Sequence, residues 1–243
     1  MKRLAAMTAG AARRMRWVSR RRAPVIWYAP HPDDETIFMG ASIGGQRRRR
    51  NVVVVITRGA ASQALAKVNA HAPQPLSVED FQAARQRELA AAVAALGVAP
   101  GDLLVHDLPD GAVEAEAVRR IIRRLAEQHP GAQHRSMSYL DPHPDHRACG
   151  EALQQAFTAG EVADCVFHLP VPLVSERLGD PVPLDIAAIA RKRAALREYE
   201  VWNPSRRRYA LGAHSVATLI RMQYNDPRER VHGPAYAPPA ARR

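Results

Sequence analysis

The chain has 243 residues, 47% of them hydrophobic and 24% charged, a composition that excludes a chain disordered throughout and supplies enough apolar matter for a sizeable core. Lys and Arg outnumber Asp and Glu by 35 to 24, a formal charge of +11, so acidic partners such as nucleic acid or anionic lipid enter consideration. Arginine supplies 32 of the 35 positive charges, which together with the many alanines is also what a GC-rich coding bias produces. Cys149 and Cys165 are too few for a disulfide framework and form no C-x-x-C pair, so the expected compartment is reducing and cytoplasmic. The strongest candidate for a membrane span, Asn51–Thr57, has five apolar residues in a row, far short of the roughly 18–20 that a span needs. No stable membrane insertion is expected.

Residues 1–24 open with Lys2 and Arg3 and a small-residue run, Leu4–Ala12, that faintly imitates a signal peptide. Thr8 and Gly10 interrupt the run, and Arg13, Arg14, Arg16, Arg20, Arg21 and Arg22 follow at once, so a basic, poorly ordered arm is expected instead. Val25–Tyr28 and Asn51–Thr57 are unbroken apolar, β-prone runs of the kind buried on both faces of a sheet. Between them Glu35–Arg50 has the length of a helix, with Ile37, Phe38, Ala41 and Ile43 on its inner face and Gly44-Gly45 loosening its end. That is one βαβ unit. Ala60–Pro75 has weak periodicity and is expected to be a surface flap beside the strand ends.

The alternation continues. Val78–Leu96 predicts a helix stopped by Gly97, Leu103–Leu108 a strand, and Ala112–Gln128 a helix with Val118, Ile121, Ile122 and Leu125 inside. Ser136–Leu140 predicts a strand, His146–Ala159 a helix, and Cys165–Val171 a further strand. The fold class is therefore α/β, a Rossmann-like, mostly parallel doubly wound sheet with helices on both faces. Such sheets hold ligands beyond the carboxyl ends of their strands. After Pro170 the prolines mark a loop, Ile186–Glu200 predicts an Arg-rich helix, and the region beyond it is ill defined. Residues 25–233 are expected to form a single domain and 234–243 an extended tail.

Two clusters carry the chemistry. His31-Pro32-Asp33-Asp34-Glu35 follows the first predicted strand and places one imidazole and three carboxylates in the expected ligand crevice. Adjacent carboxylates repel, and a divalent cation is the usual means of keeping several ionised in a partly buried place. Asp34 or Glu35 also suits the start of the following helix as a cap. The second cluster, Asp141-Pro142-His143-Pro144-Asp145-His146, follows the fourth predicted strand and so belongs at the same edge. Pro32, Pro142 and Pro144 restrict the backbone around the candidate ligands. Two imidazoles and one carboxylate would bind zinc and leave positions for water and a substrate oxygen; iron(II) or another divalent ion is compatible with the same set.

These two motifs, in this order and separation, resemble the N-acetylglucosaminyl-phosphatidylinositol de-N-acetylase family, also called PIG-L or LmbE-like. Thr57-Arg58-Gly59, Arg85-x-x-Glu88 before Leu96-Gly97, and Leu108-Pro109-Asp110-Gly111 are further points of similarity, and the resemblance spans about residues 25–160. It implies that His31, Asp34 and His146 hold zinc, that Asp33 is the general base, and that His143 steadies the oxyanion. It further implies that Arg85 and Asp110 contact substrate, a small N-acetylated amino sugar. Arg58 stands at another strand end, and Glu35 is placed to cap the helix or orient His31. In the C-terminal region the pattern departs: Lys192-Arg193-Ala194-Ala195-Leu196 and Ala213-His214-Ser215-Val216 only loosely match what many members carry. His214 could face the site, and Tyr199 and Trp202 could stack on a sugar ring or pack in the core.

The expected activity is metal-dependent hydrolysis of an N-acetylglucosamine-like unit within a glycoside, pseudodisaccharide or natural-product intermediate. The alternative is a basic nucleic-acid-binding protein of α/β fold. It lacks a recognition element: no zinc knuckle, no RNP-type aromatic strand and no helix-turn-helix is present, and aromatics are 5% of residues, few for a stacking platform. A dinucleotide-binding Rossmann protein would need Gly-x-Gly-x-x-Gly where His-Pro-Asp-Asp stands.

Overall fold

The computed structural model describes residues 23–170 and 178–237. Of the basic arm expected over residues 1–24 and the tail expected over 234–243, residues 1–22 and 238–243 lie outside the described residues, as do residues 171–177; the last two residues of the expected arm are part of the fold, with Ala23 buried and Pro24 O accepting Gln133 N–H at 3.0 Å. In chain order the elements are β1 (Val25–Ala29), α1 (Asp34–Gly45), β2 (Asn51–Val55), α2 (Ala64–Asn69), α3 (Val78–Ala95), β3 (Leu103–Val105), α4 (Ala115–Gln128), β4 (Gln133–Met137) and α5 (Pro144–Thr158). They continue with β5 (Cys165–His168), β6 (Asp180–Pro181), α6 (Ile186–Glu198), β7 (Trp202–Asn203), β8 (Arg208–Tyr209), α7 (Leu211–Asn225) and β9 (Arg230–His232).

Among the described residues the main sheet runs β3-β2-β1-β4-β5-β9-β6. Strands β1 to β5 are parallel, whereas β9 pairs antiparallel with β5 and β6. The chain reverses direction of winding at β1, between β2 and β4, and this is where a doubly wound sheet opens its ligand crevice. Every residue of β1 and β2 is buried, the reason these strands are continuous apolar runs rather than alternating ones. Each of Val52–Val55 gains roughly 1.5–3 kcal/mol from that burial relative to exposure. One core joins Trp27, Val53 and Val55 to residues of α1, α3, α6 and α7; a second joins Ile26, Tyr28 and Val54 to α4 and α5 on the opposite face.

Several boundaries differ from the sequence expectations, each for a local reason. Helix α1 ends at Gly45 rather than Arg50, because the Asn51 side-chain amide donates to the carbonyls of Ile43 (3.2 Å) and Gln46 (3.1 Å). Strand β4 lies three residues earlier than Ser136–Leu140. Its polar start is partly covered: His134 is buried with Nδ1 3.0 Å from the Tyr28 hydroxyl, and Gln133 and Arg135 are half-buried against Asp164. Helix α4 starts at Ala115 rather than Ala112, since the Asp145 carboxylate accepts from the backbone N–H groups of Gly111 (2.8 Å) and Val113 (3.1 Å).

The Ala60–Pro75 flap contains α2, whose Ala64 and Val68 are buried with Phe81, Ala84 and Leu211, so it is anchored to α3 and α7. The ill-defined region after α6 contains a fifteen-residue helix, α7, and the strand β9. The start of the expected extended tail is instead a turn, with the Tyr139 hydroxyl directed at the carbonyls of Pro234 (3.3 Å) and Tyr236 (2.8 Å).

Candidate metal centre

The loop after β1 sets the first half of the site. His31 O accepts from Asp34 N–H, and Asp33 O accepts from Thr36 and Ile37 N–H, which starts α1 at Asp34. Asp33 adopts φ 121°, a conformation that costs a non-glycine residue of order 1–3 kcal/mol and survives only where its surroundings over-determine it. They do. Asp33 N–H donates to Glu35 Oε2 (3.0 Å), while the Arg85 guanidinium, from α3, donates to Asp33 Oδ2 (3.0 Å), Pro32 O (2.7 Å) and Gly59 O (3.2 Å). Gly59 makes this approach possible: a Cβ there would stand 2.6 Å from the guanidinium carbon, and its φ is +70°. Glu35 is buried behind the loop and also accepts from the Tyr199 hydroxyl (2.6 Å).

The loop after β4 and the first turn of α5 set the second half. Pro144 opens the helix, and its N-cap His143 accepts Asp145 N–H on Nδ1 (3.3 Å). The two halves meet at Asp34. Its Oδ2 lies 3.0 Å from His31 Nδ1 and 3.2 Å from His146 Nε2, and one ligand atom from each of these three residues fits within 4.8 Å of the others. Each imidazole is held from behind by a carboxylate. His146 Nδ1 meets Asp141 Oδ2 at 3.0 Å, and His31 Nε2 meets Asp145 Oδ2 at 3.0 Å and Asp110 Oδ1 at 3.1 Å. A carboxylate on the outer nitrogen is the usual support for a metal-ligating histidine, since it fixes the tautomer and raises ligand basicity. The donor set therefore fits a zinc-like divalent ion. A second convergent group, His31, His143 and Asp145, is less suited to that role, because the Asp145 carboxylate already accepts two backbone amides.

The electrostatics point the same way. Burial lowers the His146 pKa, but Asp34 and Asp141 outweigh it and raise it to about 9. His31 is likewise raised well above its ordinary value by Asp110, Asp145 and Asp34 against the effect of burial. Burial would raise Asp34, yet the two imidazoles hold it well below the usual carboxylate range. These residues crowd more negative charge than their own cations balance, which is the environment that a divalent cation relieves. Asp33 is pushed up to about 8 by burial, with Arg85 opposing and Asp34 and Glu35 reinforcing the rise. Burial lowers His143, as do His146 and His31 beside it.

The cavity in front of these groups encloses about 300 Å³ and is lined by His31, Asp33, Asp34, His143 and His146 on one side. Phe38, Ser62, Ser215, Val216 and Leu219 form much of the rest. Arg85 and Asp110 also reach it, but most of the Arg85 guanidinium is taken up by Asp33 and two carbonyls, and Asp110 accepts Ala61 N–H (2.6 Å) besides facing His31. Arg58 lies apart from the cavity and faces Asp107 at 3.6 Å. His214 packs against His71 and Trp202 rather than lining the cavity. Tyr199 is buried core, and Trp202 stacks edge-on against Tyr209. Spacing in the sequence assigns no role to Asp141 and Asp145; their only signal there is an acidic residue on either side of His143.

A family model described as GlcNAc-PI de-N-acetylase, PIG-L, matches residues 26–157. No curated protein matches by sequence. Among solved structures, the zinc-inhibited form of teicoplanin deacetylase Orf2 superposes with a TM-score of 0.61 at 17% identity, covering 90% of this chain and 100% of that one. The N,N'-diacetylchitobiose deacetylase from Pyrococcus horikoshii gives 0.53 at 19% identity, over 72% and 70% of the two chains. GalB, the 4-carboxy-2-hydroxymuconate hydratase of Pseudomonas putida KT2440, gives 0.58 at 16% identity, over 86% and 95%. At these identities the likeness is one of fold, and the fold carries more than one chemistry.

Proposed function

Since the chain belongs to the PIG-L family of GlcNAc-PI de-N-acetylases, we propose that it is a metal-dependent deacetylase that hydrolyses the N-acetyl group of an N-acetylglucosamine-like unit in a glycoside, pseudodisaccharide or natural-product intermediate. The observation that carries this reading is the convergence of His31 Nδ1, Asp34 Oδ2 and His146 Nε2 beside a carboxylate, Asp33, that stands outside the ligand set. Zinc is the proposed ion, with iron(II) the nearest competitor for the same donors. When bound, such an ion supplies Lewis acidity, making a water nucleophilic near neutral pH and polarising the amide carbonyl.

The remaining roles fall to the chain's own side chains. Asp33, aimed by Arg85 and Glu35 and ionised where a bound cation offsets the burial that otherwise holds its carboxyl at about 8, takes the proton from the attacking water and returns it to the departing amine. His143 accepts an N–H on Nδ1, so its neutral ring carries the proton on Nε2 and offers that N–H to the tetrahedral oxyanion. This differs from an imidazolium donor, which the lowered His143 pKa disfavours. Arg85 and Asp110 are proposed to meet sugar hydroxyls with whatever capacity their protein partners leave. Acetate and a free amine are the products.

The test is acetate release from N-acetylhexosaminides by the purified chain, measured as isolated, after chelation, and after zinc or iron(II) is returned. Activity that vanishes on chelation and returns with the ion supports the reading. Acetate release untouched by chelation, or none from any N-acetylated sugar by the metal-loaded protein, overturns it.

A further inference from the structure

Helix α7 forms one wall of the cavity, yet its own sequence does not hold its first turn. The residue before it is Ala210, which sits at φ 51° and offers no side-chain cap. A helix start leaves its first N–H groups without intrahelical partners, and a buried one must find them elsewhere. Here every one is accounted for. Glu88 Oε1 accepts from Leu211 N–H (3.0 Å) and from Tyr209 N–H (3.3 Å), Glu88 Oε2 accepts from Gly212 N–H (3.2 Å), and Tyr199 O accepts from Ala213 N–H (3.0 Å). The first intrahelical bond is then His214 N–H to Ala210 O. Gly212 is packed so closely that a Cβ would stand 2.5 Å from the Tyr199 side chain.

Glu88 lies one helical turn after Arg85 on α3, and residues three apart share a helix face. Arg85 holds the Asp33 loop and Glu88 holds α7, so α3 sets the spacing of the cavity's two sides. Beyond its capped turn, α7 presents Ser215, Val216 and Leu219 to the cavity and is interrupted at Val216 (φ −133°, ψ 37°). The flap is tied to the same stretch, with Ser62 Oγ 3.2 Å from Ser215 Oγ and Lys67 Nζ donating to His214 O at 3.1 Å. We propose that Glu88 is a positioning residue for substrate selection: its carboxylate serves as the missing N-cap of α7 and thereby places Ser215, Val216 and Leu219 against the part of the substrate remote from the reacting amide. The kinetic consequence rests on the deacetylase reading, whereas the capping role does not.

Glu88→Gln keeps the shape and one acceptor oxygen but turns an N–H2 group toward donors that need an acceptor. Burial raises the Glu88 carboxyl to about 7, with the amide donors and Arg208 opposing, so the comparison is made at pH 8, where the wild-type group is ionised. Amide hydrogen exchange on the full chain should quicken about tenfold across 209–216 in Glu88→Gln, the size expected when hydrogen bonds to a charged acceptor are weakened. Exchange across 28–38 and the bound metal content should stay as in the wild type. With N,N'-diacetylchitobiose as probe, KM should rise about fivefold or more while kcat stays within about twofold, the pattern of lost ground-state contacts. Glu88→Asp, charged but shorter, should fall between the two in exchange. Unchanged exchange at 209–216, equal quickening throughout the chain, or a fall in kcat at constant KM would each overturn the proposal. Quickened exchange in a protein that deacetylates no sugar would uphold the cap and sink the deacetylase reading instead.

Discussion

His146 and Asp141 are joined at 3.0 Å through Nδ1 and Oδ2, five residues apart, across the turn that begins α5. The bond leaves Nε2 of the same ring directed at Asp34, so Asp141 determines which nitrogen is offered to a metal without being a ligand itself. Asp141→Asn should keep the ring in place but reduce its basicity. Metal affinity, read by competition with a chromophoric chelator, should fall about 10- to 100-fold, and excess metal should restore most of the activity. Unchanged affinity would show that the carboxylate is dispensable.

Loss of a direct ligand should be of a different order. His31→Ala, Asp34→Ala and His146→Ala should each fail to retain metal after gel filtration and should release no measurable acetate. Asp33→Asn, by contrast, should retain a full complement of metal and lose about 10²- to 10⁴-fold in rate, the usual span for removal of a general base. Full turnover by Asp33→Asn would remove Asp33 from the mechanism.

The metal-free protein should lose stability as pH rises. His146 has a folded pKa of about 9 against an ordinary 6.5; a raised cationic group contributes its stabilisation fully below the unfolded value and loses it as pH climbs through the folded one. The loss over that window is about 3 kcal/mol. Urea unfolding in the presence of a chelator should follow this decline between pH 6.5 and about 9. Stability that is flat or rising over that window would mean that the imidazole is not charged in the metal-free fold.

Behind α1 lies a buried ion pair on which the placement of that helix depends. Lys192 Nζ meets Glu229 Oε1 at 2.8 Å, and Glu229 accepts from the N–H groups of Ala41 (2.7 Å) and Ser42 (3.0 Å) in the body of α1. Lys192→Met strands a buried carboxylate and should cost about 3–5 kcal/mol in chemical denaturation. Adding Glu229→Gln should recover part of that loss, a coupling that a double-mutant cycle measures. Additive losses would show that the two groups do not act as a pair.

The legible parts of the chain were those where local chemistry and final environment agree. Val25–Tyr28 and Asn51–Thr57 are apolar because both sheet faces are covered, and the His-Pro-Asp clusters lie after β1 and β4, as parallel winding requires. The sequence pattern places β4 three residues late because its first residues, Gln133, His134 and Arg135, are polar; His134 is buried against Tyr28 and Arg135 reaches Asp164, partners that lie far along the chain. Helix α7 has no local start signal for a related reason, since its cap belongs to Glu88, more than a hundred residues earlier. Asp141 and Asp145 were visible as letters, but their work depends on which ring nitrogen each one meets, and spacing alone does not specify that.

The carboxylates gathered in and behind the cavity also bear on how a turnover would end. Asp33, Asp34 and Asp110 line that space with Asp141 and Asp145 behind it, and the imidazoles of His31 and His146 and the Arg85 guanidinium face them, so the site carries both signs, and a bound divalent cation would add its own charge to the same concave space. On the deacetylase reading, a protonated amine product would be drawn to the carboxylates, while acetate would compete for the cation. Inhibition by added amine and by added acetate, each followed against ionic strength, would then report the two signs separately.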